Sequence, residues 1–114
     1  MTLTVYHLKT CDTCRKAIKA LTAAGHQINL IDVRADGMPK DALEKIADRA
    51  GWEMLLNTRS TTWRNLPDSD KANVDRGKAT GLMSDHPTLI KRPVIIREED
   101  VYVGWKADVQ KALL

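Results

Sequence analysis

The feature that most constrains this chain is a change of hydrophobic period within its first 25 residues. Residues 3–7, "LTVYH", alternate in polarity and carry Val5 and Tyr6, the pattern of a short strand. Directly after it, "CDTCRKAIKALTAAG" spaces Ala17, Ile18, Leu21 and Ala24 at helical intervals, and Gly25 supplies a C-terminal stop. A strand that turns at once into a helix leaves unpaired backbone N–H groups at the junction. That junction holds both cysteines of the chain, Cys11 and Cys14.

The alternation continues. "INLIDV" (28–33) reads as a second strand, "ADGMP" breaks it, and Pro39 opens a helix over 39–50. Strand, helix, strand, helix predicts a parallel βαβ unit with a right-handed crossover. The middle, "GWEMLLNTRSTTWRNLP", is less regular: an apolar turn and a polar stretch lead into helical pieces over 68–75 and 77–85, ending near His86-Pro87. "KRPVIIREEDVYVGW" then predicts a hairpin, with "PVII" as one strand, "EED" as the turn and "VYVGW" as the partner. Pro93 opens the first of these strands, where a missing N–H costs least. "KADVQKALL" closes the chain as a short amphipathic helix.

The 114 residues, without repeats or linkers, amount to one domain. Hydrophobic residues at 43% and charged residues at 29% belong to a folded protein. No segment approaches the roughly 18 apolar residues of a membrane span, and the N-terminus lacks a signal-peptide pattern, so a soluble, cytoplasmic protein without a membrane partner is expected. In that reducing compartment Cys-x-x-Cys reads as redox or metal chemistry rather than as a structural staple. Zinc takes about four ligands, and beyond the two thiols the chain offers only His7, His26 and His86 as further histidine or cysteine donors, so no metal is assigned. The net charge of +3 suits an anionic substrate but falls short of a nucleic-acid-binding stripe.

Placed at the start of the first helix, Cys11 faces the N–H groups of Thr13, Cys14 and Arg15, which favour a thiolate and can also hold an oxyanion. Arg15, four residues on, can offer paired donors to phosphate or arsenate. His7, at the end of the strand, can lower the thiol pKa if it is protonated or hydrogen-bonded nearby. Each residue has a plainer reading as well: His7 as a core residue, Arg15 as a solvated helix charge, Cys14 as an inert buried thiol.

The order βαβα, helices, ββα, with the cysteines ending the first strand, is that of a thioredoxin or glutaredoxin fold with an inserted helical block. In that fold the proline opening the third strand is usually cis and lies beside the active cysteine, which predicts a cis Arg92–Pro93 bond. The segments "YHLKTCDTCRKA", "LLNTRSTTWRNL", "MSDHPTLIKRPVII" and "VYVGWKADV" resemble, in order and spacing, the ArsC/Spx family: glutaredoxin-coupled arsenate reductases, Spx-type regulators and their small relatives.

The resemblance implies an α/β, thioredoxin-like mixed sheet in a single domain over 1–114, with a helical insert at about 37–88. It implies a cytoplasmic enzyme with no bound cofactor, in which Cys11 attacks arsenate and glutathione with glutaredoxin resolves the adduct. His7, Cys11 and Arg15 reproduce the family's His-x3-Cys-x3-Arg pattern, and Arg92 matches an arginine that contacts the oxyanion. Two further family arginines are displaced here. Asn57 or Thr58 takes one position with Arg59 beside it, and "GWK" leaves Lys106 in place of the other. "NTRSTTWRNL" is closer to the small relatives, whose implied role is glutathione-dependent thiol reduction. Cys14 is a second thiol as in the Spx regulators, where the pair forms a disulfide switch in a protein that binds RNA polymerase.

Overall fold

The computed structural model describes residues 2–114. It contains strands β1 (Thr2–His7), β2 (Gln27–Asp32), β3 (Val94–Arg97) and β4 (Asp100–Val103). The helices are α1 (Asp12–Ala23), α2 (Lys40–Ala50), α3 (Trp52–Leu55), α4 (Thr61–Arg64), α5 (Asp68–Lys71), α6 (Arg76–Asp85) and α7 (Ala107–Leu113), with a 3-10 turn at Pro87–Leu89. They form two compact units, one running to Asp36 and resuming with Arg92–Leu114, the other spanning Gly37–Lys91.

The first unit is built on a mixed sheet of order β2-β1-β3-β4. β1 runs parallel to β2, from Thr2 opposite Gln27 to His7 opposite Asp32, and antiparallel to β3, with Val5 opposite Ile95. Alternation in β1 sends Leu3 and Val5 to one face. There they join Leu21 of α1, Ile95, and Val109 and Leu113 of α7 in a core cluster. Burying each such aliphatic side chain contributes roughly 2 kcal/mol.

α1 buries Cys14, Ala17 and Leu21, three positions on one helical face. It ends at Gly25, whose φ of +92° needs a residue without Cβ strain. His26 follows, and its ring Nε2 lies 2.7 Å from the Leu113 carbonyl oxygen, joining the start of β2 to the end of the chain.

The hairpin turn is tighter than the sequence suggests. Asp100 pairs with Arg97, so only Glu98 and Glu99 form the loop, and Glu98 takes φ +56°. The last strand stops at Val103 because Gly104 turns out of the ladder at φ +84°, its N–H donating to the Pro93 carbonyl at 2.8 Å.

In the second unit α2 packs on α6 and α3, and Leu43, Ile46, Leu55, Met83 and Leu89 are buried. Buried Thr80 satisfies its hydroxyl by donating to the Arg76 carbonyl at 3.0 Å. The helical piece read over 68–75 is cut to Asp68–Lys71. Asn73 there adopts φ +54°, and Asp75 caps α6, accepting the Lys78 N–H at 2.9 Å. The irregular middle holds two short helices the sequence does not announce, α3 and α4. Ser60 starts the latter by accepting the Trp63 N–H at 3.1 Å. Among the described residues no helix is long and apolar enough to cross a membrane.

Candidate active site

Cys11 occupies the N-cap of α1, with extended backbone at φ −88° and ψ 115°. The turn that delivers it is closed by its own N–H donating to the Leu8 carbonyl at 2.9 Å, and its carbonyl accepts the Arg15 N–H at 3.1 Å. Its sulfur is the capping group, accepting the Cys14 N–H at 3.4 Å. A cysteine in place of the usual Ser, Thr, Asp or Asn puts a polarisable, ionisable atom where the helix is most electropositive.

The two thiols have opposite environments. Burial pushes Cys11 up, but the Cys14 N–H and thiol together with the charge and hydrogen bond of Arg92 outweigh it, and the group ionises below the ordinary cysteine value. Cys14 is fully buried, and burial, with the neighbouring Cys11, pushes its thiol up to about 12. One cysteine is half-buried and easily ionised; the other is enclosed and stays protonated.

The cation that acts on Cys11 is Arg92, at the cis Arg92–Pro93 bond that leads into β3. Arg15 sits one turn along α1, as its spacing requires, but its guanidinium is paired with the Asp12 carboxylate in solvent. His7 is buried at the end of β1 opposite Asp32, and its charge acts on that carboxylate, helping hold it below the usual range. Lys106 is exposed at the N-cap of α7, its carbonyl accepting the Gln110 N–H at 3.0 Å. Arg59 lies in the Gly37–Lys91 unit, its N–H held by the Asn57 side chain at 3.1 Å.

Asp32 is a site residue that sequence reasoning missed. Its Oδ1 accepts the N–H groups of Arg34 and Ala35 at 2.8 and 2.9 Å, and its Oδ2 accepts that of Lys9 at 3.2 Å. The carboxylate therefore braces the segment before Cys11 against the segment after β2. Between those segments lies an open cleft of about 350 Å³ lined by Leu8, Lys9, Thr10, Asp32, Arg34 and Ala35. The available signal was slight, an acidic residue closing a strand of apolar neighbours. Among the described residues no three His, Cys, Asp or Glu side chains are grouped to hold a metal ion.

The model of the ArsC family matches residues 6–113. An uncharacterized protein of Haemophilus influenzae is 40% identical over 103 residues, covering 90% of each chain. The global transcriptional regulator Spx of Bacillus subtilis is 27% identical over 113 residues, covering 93% of this chain and 82% of the regulator. Among solved structures, that of the YffB (PA3664) protein superposes with a TM-score of 0.92 at 35% identity, covering 98% of both chains. With its thioredoxin-like mixed sheet and a cysteine capping the first helix, the chain belongs to the ArsC family.

Proposed function

We propose that this protein is a cytoplasmic thiol oxidoreductase of the arsenate reductase type, with the Cys11 thiolate as nucleophile and glutathione with glutaredoxin as the source of electrons. The observation that carries this reading is the split between the two thiols: Cys11 is partly exposed and lowered in pKa by the helix N-terminus and Arg92, whereas Cys14 is sealed and protonated. A nucleophile needs the first environment and has no use for the second.

With arsenate, the thiolate displaces an oxygen, which leaves as water once protonated. A glutathione thiol then completes the two-thiol oxidation that takes As(V) to As(III) and leaves a disulfide. With a glutathione mixed disulfide, Cys11 attacks the glutathione sulfur and expels the substrate thiolate. A second glutathione then releases oxidised glutathione and regenerates Cys11. Arg92 neutralises the sulfur anion in both routes, with Lys106 as a further candidate for holding a charged substrate and His7 as a supporting group; Arg15 joins them only by leaving the Asp12 carboxylate. The open cleft next to the segment that delivers Cys11, lined by Leu8, Lys9, Thr10, Asp32, Arg34 and Ala35 and almost wholly apolar in its walls, supports a peptidyl thiol as partner.

A second reading is an Spx-like switch that binds RNA polymerase and responds to a Cys11–Cys14 disulfide. It is favoured by the closeness of the two cysteines, the Cys14 N–H donating to the Cys11 sulfur at 3.4 Å and each thiol acting on the ionisation of the other.

The test is NADPH consumption coupled through glutathione reductase, glutathione and glutaredoxin, with arsenate or a glutathionylated peptide as substrate. Turnover that survives Cys14→Ser and disappears in Cys11→Ser supports the enzyme. No turnover with either substrate, alongside ready Cys11–Cys14 disulfide formation and polymerase binding, supports the switch.

A further inference from the structure

The residue next to the reactive sulfur carries a charge of the sulfur's own sign. Asp12 directly follows Cys11 in the first turn of α1, and its carboxylate holds the Arg15 guanidinium three residues on. Both side chains are open to solvent, at 80% and 64% exposure. The pair therefore contributes little to folding. Its consequence lies in what approaches Cys11.

Without Asp12, Arg15 would be a free fork of donors at a helix N-terminus, a place that attracts anions. With it, one guanidinium nitrogen already holds a carboxylate, and that carboxylate also places its charge in the anion-attracting first turn. A multiply charged oxyanion competes with Asp12 for Arg15 and approaches against its charge. A disulfide of low charge does neither. Arg92 acts on the thiolate from another element, so reactivity of the sulfur does not depend on freeing Arg15.

We propose that Asp12 is a specificity-determining residue that disfavours small multiply charged oxyanions at Cys11 and favours disulfide electrophiles of low charge. This rests on the reading of Cys11 as the nucleophile and, between its two candidate substrate classes, favours disulfides over arsenate.

The experiment compares the first-thiol reaction of the full chain with two disulfide reporters, anionic 5,5′-dithiobis(2-nitrobenzoate) and neutral 4,4′-dithiodipyridine, in wild type, Asp12→Asn and Asp12→Glu. The ratio of the two rate constants cancels any change in thiolate fraction. In Asp12→Asn the anionic-to-neutral ratio is expected to rise about five-fold at low ionic strength. The gain should shrink at high salt, where exposed charges are screened. Asp12→Glu should restore the wild-type ratio. The arsenate concentration that protects Cys11 from alkylation should fall by a similar factor in Asp12→Asn.

An unchanged ratio, a gain indifferent to salt, or unchanged arsenate protection overturns the proposal. These reactions are stoichiometric, so a protein that shows no turnover in the coupled assay still reports on Asp12. Conversely, an active enzyme with an unmoved ratio defeats this inference alone.

Discussion

The Asp32 carboxylate accepts the Lys9 backbone N–H at 3.2 Å, tying the end of β2 to the segment that delivers Cys11. Because Oδ1 serves Arg34 and Ala35 while Oδ2 serves Lys9, an amide at this position can keep the first two bonds and must turn a donor toward Lys9. Asp32→Asn is expected to lower stability by about 2 kcal/mol in urea unfolding.

The same substitution should alter the acid limb of stability. Hydrogen bonds from Ala35, Arg34 and Lys9 and the nearby His7 charge outweigh desolvation and hold the Asp32 carboxyl below its ordinary value. A depressed carboxyl stabilises the fold fully above its unfolded pKa of about 3.9 and loses that contribution as pH falls through the lower folded value. Wild type should lose stability below about pH 4, and Asp32→Asn should show a flatter curve there; matching curves would remove Asp32 as the source.

Native alkylation near neutral pH should modify Cys11 alone, because Cys14 is fully buried and protonated. Mass spectrometry of peptides after iodoacetamide treatment reads this directly, with two labels appearing only on unfolding.

On the alkaline side the sign reverses. The Cys14 thiol is raised to about 12, so the folded state keeps a proton that the unfolded chain has already lost. Its contribution is complete below the unfolded pKa of about 8.5 and declines as pH climbs through the folded value. Cys14→Ala should flatten the fall in stability between these limits, measured by denaturant midpoints under reducing conditions.

Arg92→Met removes the cation acting on Cys11. Ultraviolet titration of the thiolate should place its pKa higher, and the alkylation rate at neutral pH should drop by about three- to ten-fold. An unmoved titration would leave the helix N-terminus as the dominant influence.

Much of the first unit is written locally in the chain. The change of period between Val5 and Ala17 marks β1 and α1, and Val94 to Tyr102 reads as a hairpin because β-branched residues flank an acidic turn. Cys11 at the head of α1 follows from those two assignments. The middle was less legible. α3 and α4 are four residues each, too short for a helical period to register. The early end of α5 depends on the positive φ at Asn73, which the residue type permits without requiring. Asp32 escaped notice because the bond that ties it to the site, from the Lys9 N–H, comes from 23 residues away, which no local pattern encodes, whereas its bonds from Arg34 and Ala35 make only a local turn. Asp12 was within reach: an acid three residues before Arg15 on a helix is a standard pairing distance.

The sulfur that reacts is also the sulfur that caps α1. A thiolate accepts the Cys14 N–H strongly, whereas the same atom in an adduct or a disulfide accepts weakly, so each covalent event uncaps the helix. Lost N-caps cost about 1 kcal/mol, enough to let the first turn fray several-fold more often while Cys11 is occupied. Amide hydrogen exchange at Cys14 would then follow the state of the sulfur, slow in the reduced protein and faster in its glutathione adduct. The helix itself becomes the reporter of whether the site is loaded.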